Sequence, residues 1–187
     1  MSLLKTKKEE MRAASAKQGA VSFFLGEKEY AVDIGSVREV IYGKKISPLP
    51  GAPDYFEGLI DLRGTVIPVI HLGKRLHGSR EIRVSDDPLS VSGHILIVEI
   101  DRKKVGFIVD RVEDVVVIEK DSVQSAQNLI ELPLPVIEGV FRYKDRLILL
   151  LYLERLFTET VRNLIAEATQ QQARPAAIIA DPLGRLG

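Results

Sequence analysis

The chain has 187 residues, 45% of them hydrophobic, and a mean hydropathy of +0.06, enough apolar material to build a core in one domain or two small ones. Its 26 Lys and Arg balance 26 Asp and Glu, which argues against a dedicated nucleic-acid binder with its usual basic excess. With no cysteine, disulfides, thiolate metal sites, iron–sulfur clusters and cysteine catalysis are excluded. The longest apolar run, Leu147–Leu153, is far short of the roughly 20 residues that span a bilayer. The opening MSLLKTKKEEMRAASAKQ is charged and has no apolar stretch of the secretion-signal kind. These features predict a soluble cytoplasmic protein with no direct membrane insertion.

Residues 1–20 read as a basic N-terminal arm, solvated or loosely helical: Lys5, Lys7, Lys8, Arg12 and Lys17 stand against Glu9 and Glu10. Residues 21–157 hold nearly all the β-branched and aromatic side chains, in short runs broken by Gly, Pro, Asp and Lys. Val21–Leu25 and Tyr30–Ile34 flank Gly26-Glu27-Lys28-Glu29, a hairpin pattern. Leu59–Leu62 and Val66–Ile70 flank Arg63-Gly64, where Gly64 suits the positive φ of a tight turn. His94–Ile100 and Val105–Val109 form a third pair around Asp101-Arg102-Lys103-Lys104. Val140–Tyr143 and Leu147–Leu151 form a fourth around Lys144-Asp145-Arg146. From Leu153 the spacing turns helical through Leu156, Phe157, Val161, Leu164 and Ile165. Residues 158–187 are therefore expected to carry a C-terminal helix and then a loose, proline-containing tail. Many short strands at close spacing favour small barrels.

The chain also repeats itself. A shift of 75 residues places Tyr30 on Val105, Ala31 on Gly106, Val32 on Phe107, Val37 on Val112, and Glu39 on Asp114. A shift of 81 places Gly58 on Gly139, Arg63 on Lys144, Ile67 on Ile148, and Leu72 on Leu153. A Pro-Leu-Pro triplet, 48–50 and 133–135, precedes the second hairpin of each half. The repeat predicts two β subdomains of similar topology, about 21–77 and 93–157, joined by the polar stretch around Asp86-Asp87-Pro88. Each half has roughly 65 residues and is marginal alone, so the two are expected to pack as one unit.

Little here supports catalysis. His71, His77 and His94 are not spaced as metal ligands, and no nucleophile elbow, P-loop or dinucleotide fingerprint occurs. His71, at the end of PVIHL, reads as a strand-end or interface residue rather than a ligand. Asp110, Glu113, Asp114, Glu119 and Asp121 form either a solvated face or a charged partner surface. Arg63 is likewise open to two readings. It is an ordinary exposed charge, or an anchor whose guanidinium pairs with carboxylates at an interface beside the open backbone of Gly58 and Gly64. No metal and no cofactor are expected, and the chain reads as a binding protein.

The run Glu57-Gly58-Leu59-Ile60-Asp61-Leu62-Arg63-Gly64-Thr65-Val66-Ile67-Pro68-Val69-Ile70-His71-Leu72 resembles the G-x-x-N-L-R-G-x-x-x-P-V-x-D-L signature of the CheW-like coupling proteins of bacterial chemotaxis. Tyr30–Val40 is similar to the first half of that family, and 95–116 with 139–156 to its second half. Asp61 stands where the family usually has Asn, and His71 where it usually has Asp. The resemblance implies a mainly β fold of two packed SH3-like five-stranded barrels with a C-terminal helix, and no catalytic activity. It also implies an adaptor at the inner face of the membrane, bridging the tips of chemoreceptors to the regulatory domain of the histidine kinase CheA. On that basis Val37, Glu39, Gly58, Arg63 and Gly64 are expected to line or support the receptor side, with Val105, Gly106 and Gly139 as secondary candidates toward the kinase. Coupling in another two-component pathway, such as surface motility, is the alternative within the family. A small β-barrel that binds a ligand or nucleotide is the alternative outside it. Five Tyr, six Phe and no Trp, with no basic run between them, speak against the latter.

Overall fold

A computed structural model describes residues 17–78, 93–100, 102–125, 136–156, 162 and 166. The strands are β1 (Lys17–Leu25), β2 (Lys28–Asp33), β3 (Val37–Tyr42), β4 (Phe56–Leu62), β5 (Thr65–His71), β6 (His94–Ile100), β7 (Lys103–Val109), β8 (Arg111–Glu119), β9 (Gln124–Ser125), β10 (Ile137–Tyr143) and β11 (Arg146–Leu151). One short helix, α1 (Leu72–His77), follows β5, and a 3-10 turn at Leu153–Leu156 follows β11. All four expected hairpins are present, as β1–β2, β4–β5, β6–β7 and β10–β11. β1 starts at Lys17, inside the stretch read as an arm, because Lys17–Ala20 pair with Val116–Glu119 of β8. The remainder of the expected C-terminal helix, apart from helical Arg162 and Ala166, lies outside the described residues, as do most of the arm and the linker.

The strands form two sheets. One runs β8-β1-β2-β11-β10-β9 and the other β3-β6-β7-β5-β4. The repeat relates them strand for strand, since β1, β2, β3, β4 and β5 correspond to β6, β7, β8, β10 and β11. The subdomains are nevertheless not the consecutive halves 21–77 and 93–157. Each sheet takes a first hairpin from one half and a second hairpin from the other. β11 runs parallel to β2, with Ile148 opposite Glu29, and β5 runs parallel to β7, with Val69 opposite Gly106. The third strands are exchanged too, β8 pairing with β1 and β3 with β6. Sequence periodicity fixes which residues face a core, but not which hairpin becomes the neighbour.

Three cores follow from this exchange. Ile46, Ile60, Leu62, Ile67, Val69, Ile95, Ile97 and Ile108 fill the inside of the second sheet. Ala20, Ala31, Val116, Ile118, Phe141, Ile148 and Leu150 fill the inside of the first. Between the sheets lies the largest cluster, with Phe23, Tyr30, Val32, Phe56, Leu72, Leu96, Phe107 and Leu153 among its members. The inner strands are buried on both faces, so β2, β6 and β7 read as continuous apolar runs rather than alternating ones. The two sheets curl as SH3-like barrels do. Arg63, in the β4–β5 turn at one edge of its sheet, reaches Glu39 on β3 at the other edge.

Gly58 and Gly139 occupy matching bulges where β4 and β10 slip register against their partners. Gly58 has φ +138°, and a Cβ there would sit 2.1 Å from the Ser47 carbonyl oxygen. A Cβ on Gly139 would sit 2.6 Å from the Gln124 carbonyl oxygen. Gly64 differs, with φ +80° and open space for 4 Å around the point a Cβ would occupy. Gly58→Ala is therefore expected to cost more than about 3 kcal/mol, from backbone strain added to a steric clash. Gly64→Asn should cost less than about 1 kcal/mol, because Asn tolerates this backbone region. Urea unfolding of the two variants beside the parent checks the contrast.

Candidate functional site

The β4–β5 hairpin ends with Leu62 opposite Thr65, leaving Arg63 and Gly64 as a two-residue turn. Their φ values of 57° and 80° are both left-handed, the pattern of a type I′ turn. Asp61 secures it, its Oδ1 accepting the Gly64 N–H at 2.7 Å. Arg63 therefore stands at the tip, its side chain 80% exposed, and donates through Nη2 to Glu39 Oε2 at 3.3 Å. Beside this pair, Arg38 Nε donates to Glu99 Oε2 at 3.1 Å. The hydrogen bond and positive charge of Arg38 hold the Glu99 carboxyl below its ordinary range. The corner is thus a set of alternating charges paired among themselves and open to solvent.

Four of the five residues assigned to the receptor side lie on β3 or the adjoining tip: Val37 and Glu39, both half-buried, and the exposed Arg63 and Gly64. Gly58 does not. It is buried beneath Ser47 and Ile46, and its role is to let the chain pass close by. The residues assigned to the kinase side are also interior. Val105 is fully buried in the core between the sheets. A Cβ on buried Gly106 would lie 2.8 Å from Ile95 Cγ2, and Gly139 is closed in by Val123 and Gln124. These three positions pack the fold and present no side chain to a partner.

The second hairpin repeats the first with different chemistry. Lys144 takes φ 54° at the place of Arg63, and Leu147 beside it is 61% exposed. Arg146 Nη1 donates to Glu29 Oε1 at 3.1 Å and lies 3.8 Å from Glu113 Oε1. The Glu29 side chain is only 4% exposed, so this pair joins β11, β2 and β8 through a buried carboxylate. Nothing in the sequence signals the pair, because Glu29 stands within one expected turn and Arg146 within another. Three members of the acidic cluster make contacts within the chain while remaining exposed. Asp110 Oδ2 accepts the Gly26 N–H at 2.6 Å, Asp114 Oδ1 accepts the Val115 N–H at 2.7 Å, and Glu113 pairs with Arg111 at 3.0 Å.

The histidines are structural in the same sense. His94 Nδ1 accepts the Val112 N–H at 2.8 Å, joining β6 to β8, and burial pushes its pKa down. His71 ends β5 and caps α1 through Nδ1. Among the described residues no cluster of His, Asp and Glu is placed to hold a metal ion, and no helix is long and apolar enough to cross a membrane.

Two SH3-like barrels that exchange hairpins, with an arginine turn presented at one corner, define a double β-barrel protein. The CheW-like domain model matches residues 19–161, and the chain belongs to that family. It is 34% identical over 139 residues to "Chemotaxis protein CheW" of Treponema pallidum, covering 74% of this chain and 81% of the relative. The Bacillus subtilis protein of the same name is 32% identical over 129 residues, covering 68% and 79%. The solved structure of the scaffolding protein TtCheW from Thermoanaerobacter tengcongensis matches with a TM-score of 0.65 and 34% identity, over 75% of this chain and 92% of that one.

The two arginine pairs should behave differently. Arg146→Ala leaves Glu29 buried without its cation and is expected to cost about 3 kcal/mol. The Arg63–Glu39 pair faces water, and a double-mutant cycle with Arg63→Asn and Glu39→Gln should give a coupling below about 1 kcal/mol. Chemical denaturation of the single and double variants measures both.

Proposed function

We propose that this chain is a non-enzymatic adaptor in a chemosensory complex, coupling chemoreceptors to the histidine kinase CheA in the cytoplasm. The observation that carries the reading is the Arg63 turn. It is held in a left-handed conformation and capped by Asp61, and the arginine side chain is 80% exposed. A turn that served stability alone has no use for an arginine there, since Asn or Gly takes this backbone at lower cost. An arginine fixed in this way offers donors to carboxylates and carbonyls on a docking helix. Glu39 orients it, Gly64 leaves the adjoining backbone open, and Val37 supplies apolar contact on the neighbouring strand. The kinase meets the second hairpin, where Leu147 and Lys144 are exposed. Adaptor work of this kind needs two patches of ordinary interface size on a rigid body, and no chemistry.

Arg63→Asn keeps the turn geometry and removes the donors. It should weaken binding of a receptor cytoplasmic fragment about 5- to 150-fold, the effect of losing a charged hydrogen bond at an interface. Lys144→Asn, at the matching position of the other hairpin, should leave receptor affinity unchanged. Leu147→Ser should lower affinity for the kinase regulatory domain only. Calorimetric titration of each variant against both partners separates the effects. Equal receptor affinity for Arg63→Asn and the parent would reduce Arg63 to a surface charge.

A further inference from the structure

The six residues of α1 are held at both ends by histidines. At its start, His71 Nδ1 accepts the Lys74 N–H at 3.3 Å, satisfying one of the amides that a helix leaves without an internal acceptor. The ring can do this only when neutral, with its proton on Nε2. Gly73 accommodates the ring, since even a Cβ at that position would meet His71 Cε1 at 3.3 Å and Nδ1 at 3.4 Å. At the helix end, His77 Nε2 and the buried Tyr30 hydroxyl share a hydrogen bond of 2.9 Å. Between them Leu72 and Leu76 are buried in the core that separates the sheets. The helix thus leaves β5 of one sheet and fastens on β2 of the other.

We propose that α1 is an acid-released clasp between the two sheets, opened when His71 takes a proton on Nδ1 and gives up the Lys74 amide. Three charged groups face the ring: Glu57 on β4, Lys74 on α1, and Asp110 beyond β7. Glu57 and Lys74 are ion-paired with each other. Burial is the strongest influence and lowers the pKa of His71 from 6.5, with Glu57, Asp110 and a hydrogen bond to the residue's own backbone opposing and Lys74 assisting. In the unfolded chain the ring titrates near 6.5, so between that pH and the lower folded value the unfolded chain binds the proton more readily. The cap is complete above about pH 6.5 and is lost as the pH falls through the folded pKa. His94 makes a similar bond to Val112 and His77 holds the far end of α1, so the His71 contribution is isolated by comparing the Lys74 amide in the parent with His71 variants.

The test is amide hydrogen exchange at Lys74 in the full chain at pH 7.5, 6.5 and 5.5, corrected for intrinsic exchange. His71→Asn and His71→Asp serve as comparators, because both side chains cap helices and neither titrates in this range. Protection of Lys74 in the parent should fall between pH 7.5 and 5.5, because the opened helix takes up the proton from about pH 6.5 downward, toward the roughly fivefold loss that removing an N-cap causes. Both variants should keep their protection across the range. Unchanged protection in the parent would overturn the proposal, and so would an equal fall in either variant. If one variant does not fold, the other makes the same comparison.

Discussion

Where Ile148 of β11 lies parallel to Glu29 of β2, and Ile70 of β5 lies parallel to Phe107 of β7, strands from opposite halves of the chain come to share a sheet. Every hairpin is local, and every strand pairing between hairpins crosses from one half to the other. This exchange gives a chain with two repeats of marginal size a way to act as one cooperative body. Neither sheet can be completed by its own half, and the apolar faces turned away from the barrel interiors meet in the central core. The burial of β2 and β7 on both faces and the position of α1 follow from it.

The two second hairpins show how one backbone plan serves two ends. Both tips carry a basic residue in a left-handed conformation, Arg63 and Lys144. At the first tip, the guanidinium faces water and its ion pair with Glu39 is solvated. At the second, the neighbouring Arg146 is drawn inward to neutralise Glu29. Solvation determines the difference. An exposed pair contributes little to stability and leaves its donors accessible, whereas a buried carboxylate without its partner is costly. The first tip consequently keeps its guanidinium in water, while in the second hairpin Arg146 is committed to the fold and Lys144 and Leu147 stay exposed.

Much of the fold is legible in the sequence because hairpins are local. Turn residues and apolar runs locate all four, and the shifts of 75 and 81 residues pair the halves. The exchange is not legible, since the same apolar residues satisfy either arrangement and only long-range packing selects between them. β3 and β8 do not stand out as strands, although the repeat matches Val37 with Val112. α1 escapes notice because six residues carry too little periodicity. In the candidate site, Arg63 and Gly64 stand out because the turn needs one and not the other. Gly58, Gly106 and Gly139 read as surface positions and prove to be interior. A glycine's sequence neighbours do not distinguish an open backbone from one pressed against a carbonyl or a methyl group. Glu29 and Arg146, distant in sequence, give no local pattern at all.

The exchange also sets an order of assembly on the ribosome. The β1–β2 hairpin emerges first, with Phe23 and Tyr30 stacked at 6.1 Å, yet none of the strands that flank it belongs to its own half. The sheet that contains β3, β4 and β5 is complete once β7 has been made, whereas the sheet begun by β1 must wait for β11. The sheet begun first is therefore finished last, and the apolar face of β1–β2 stays uncovered until β8, β10 and β11 have been made. Pairings of such long range are slow to form and vulnerable to association with other nascent chains.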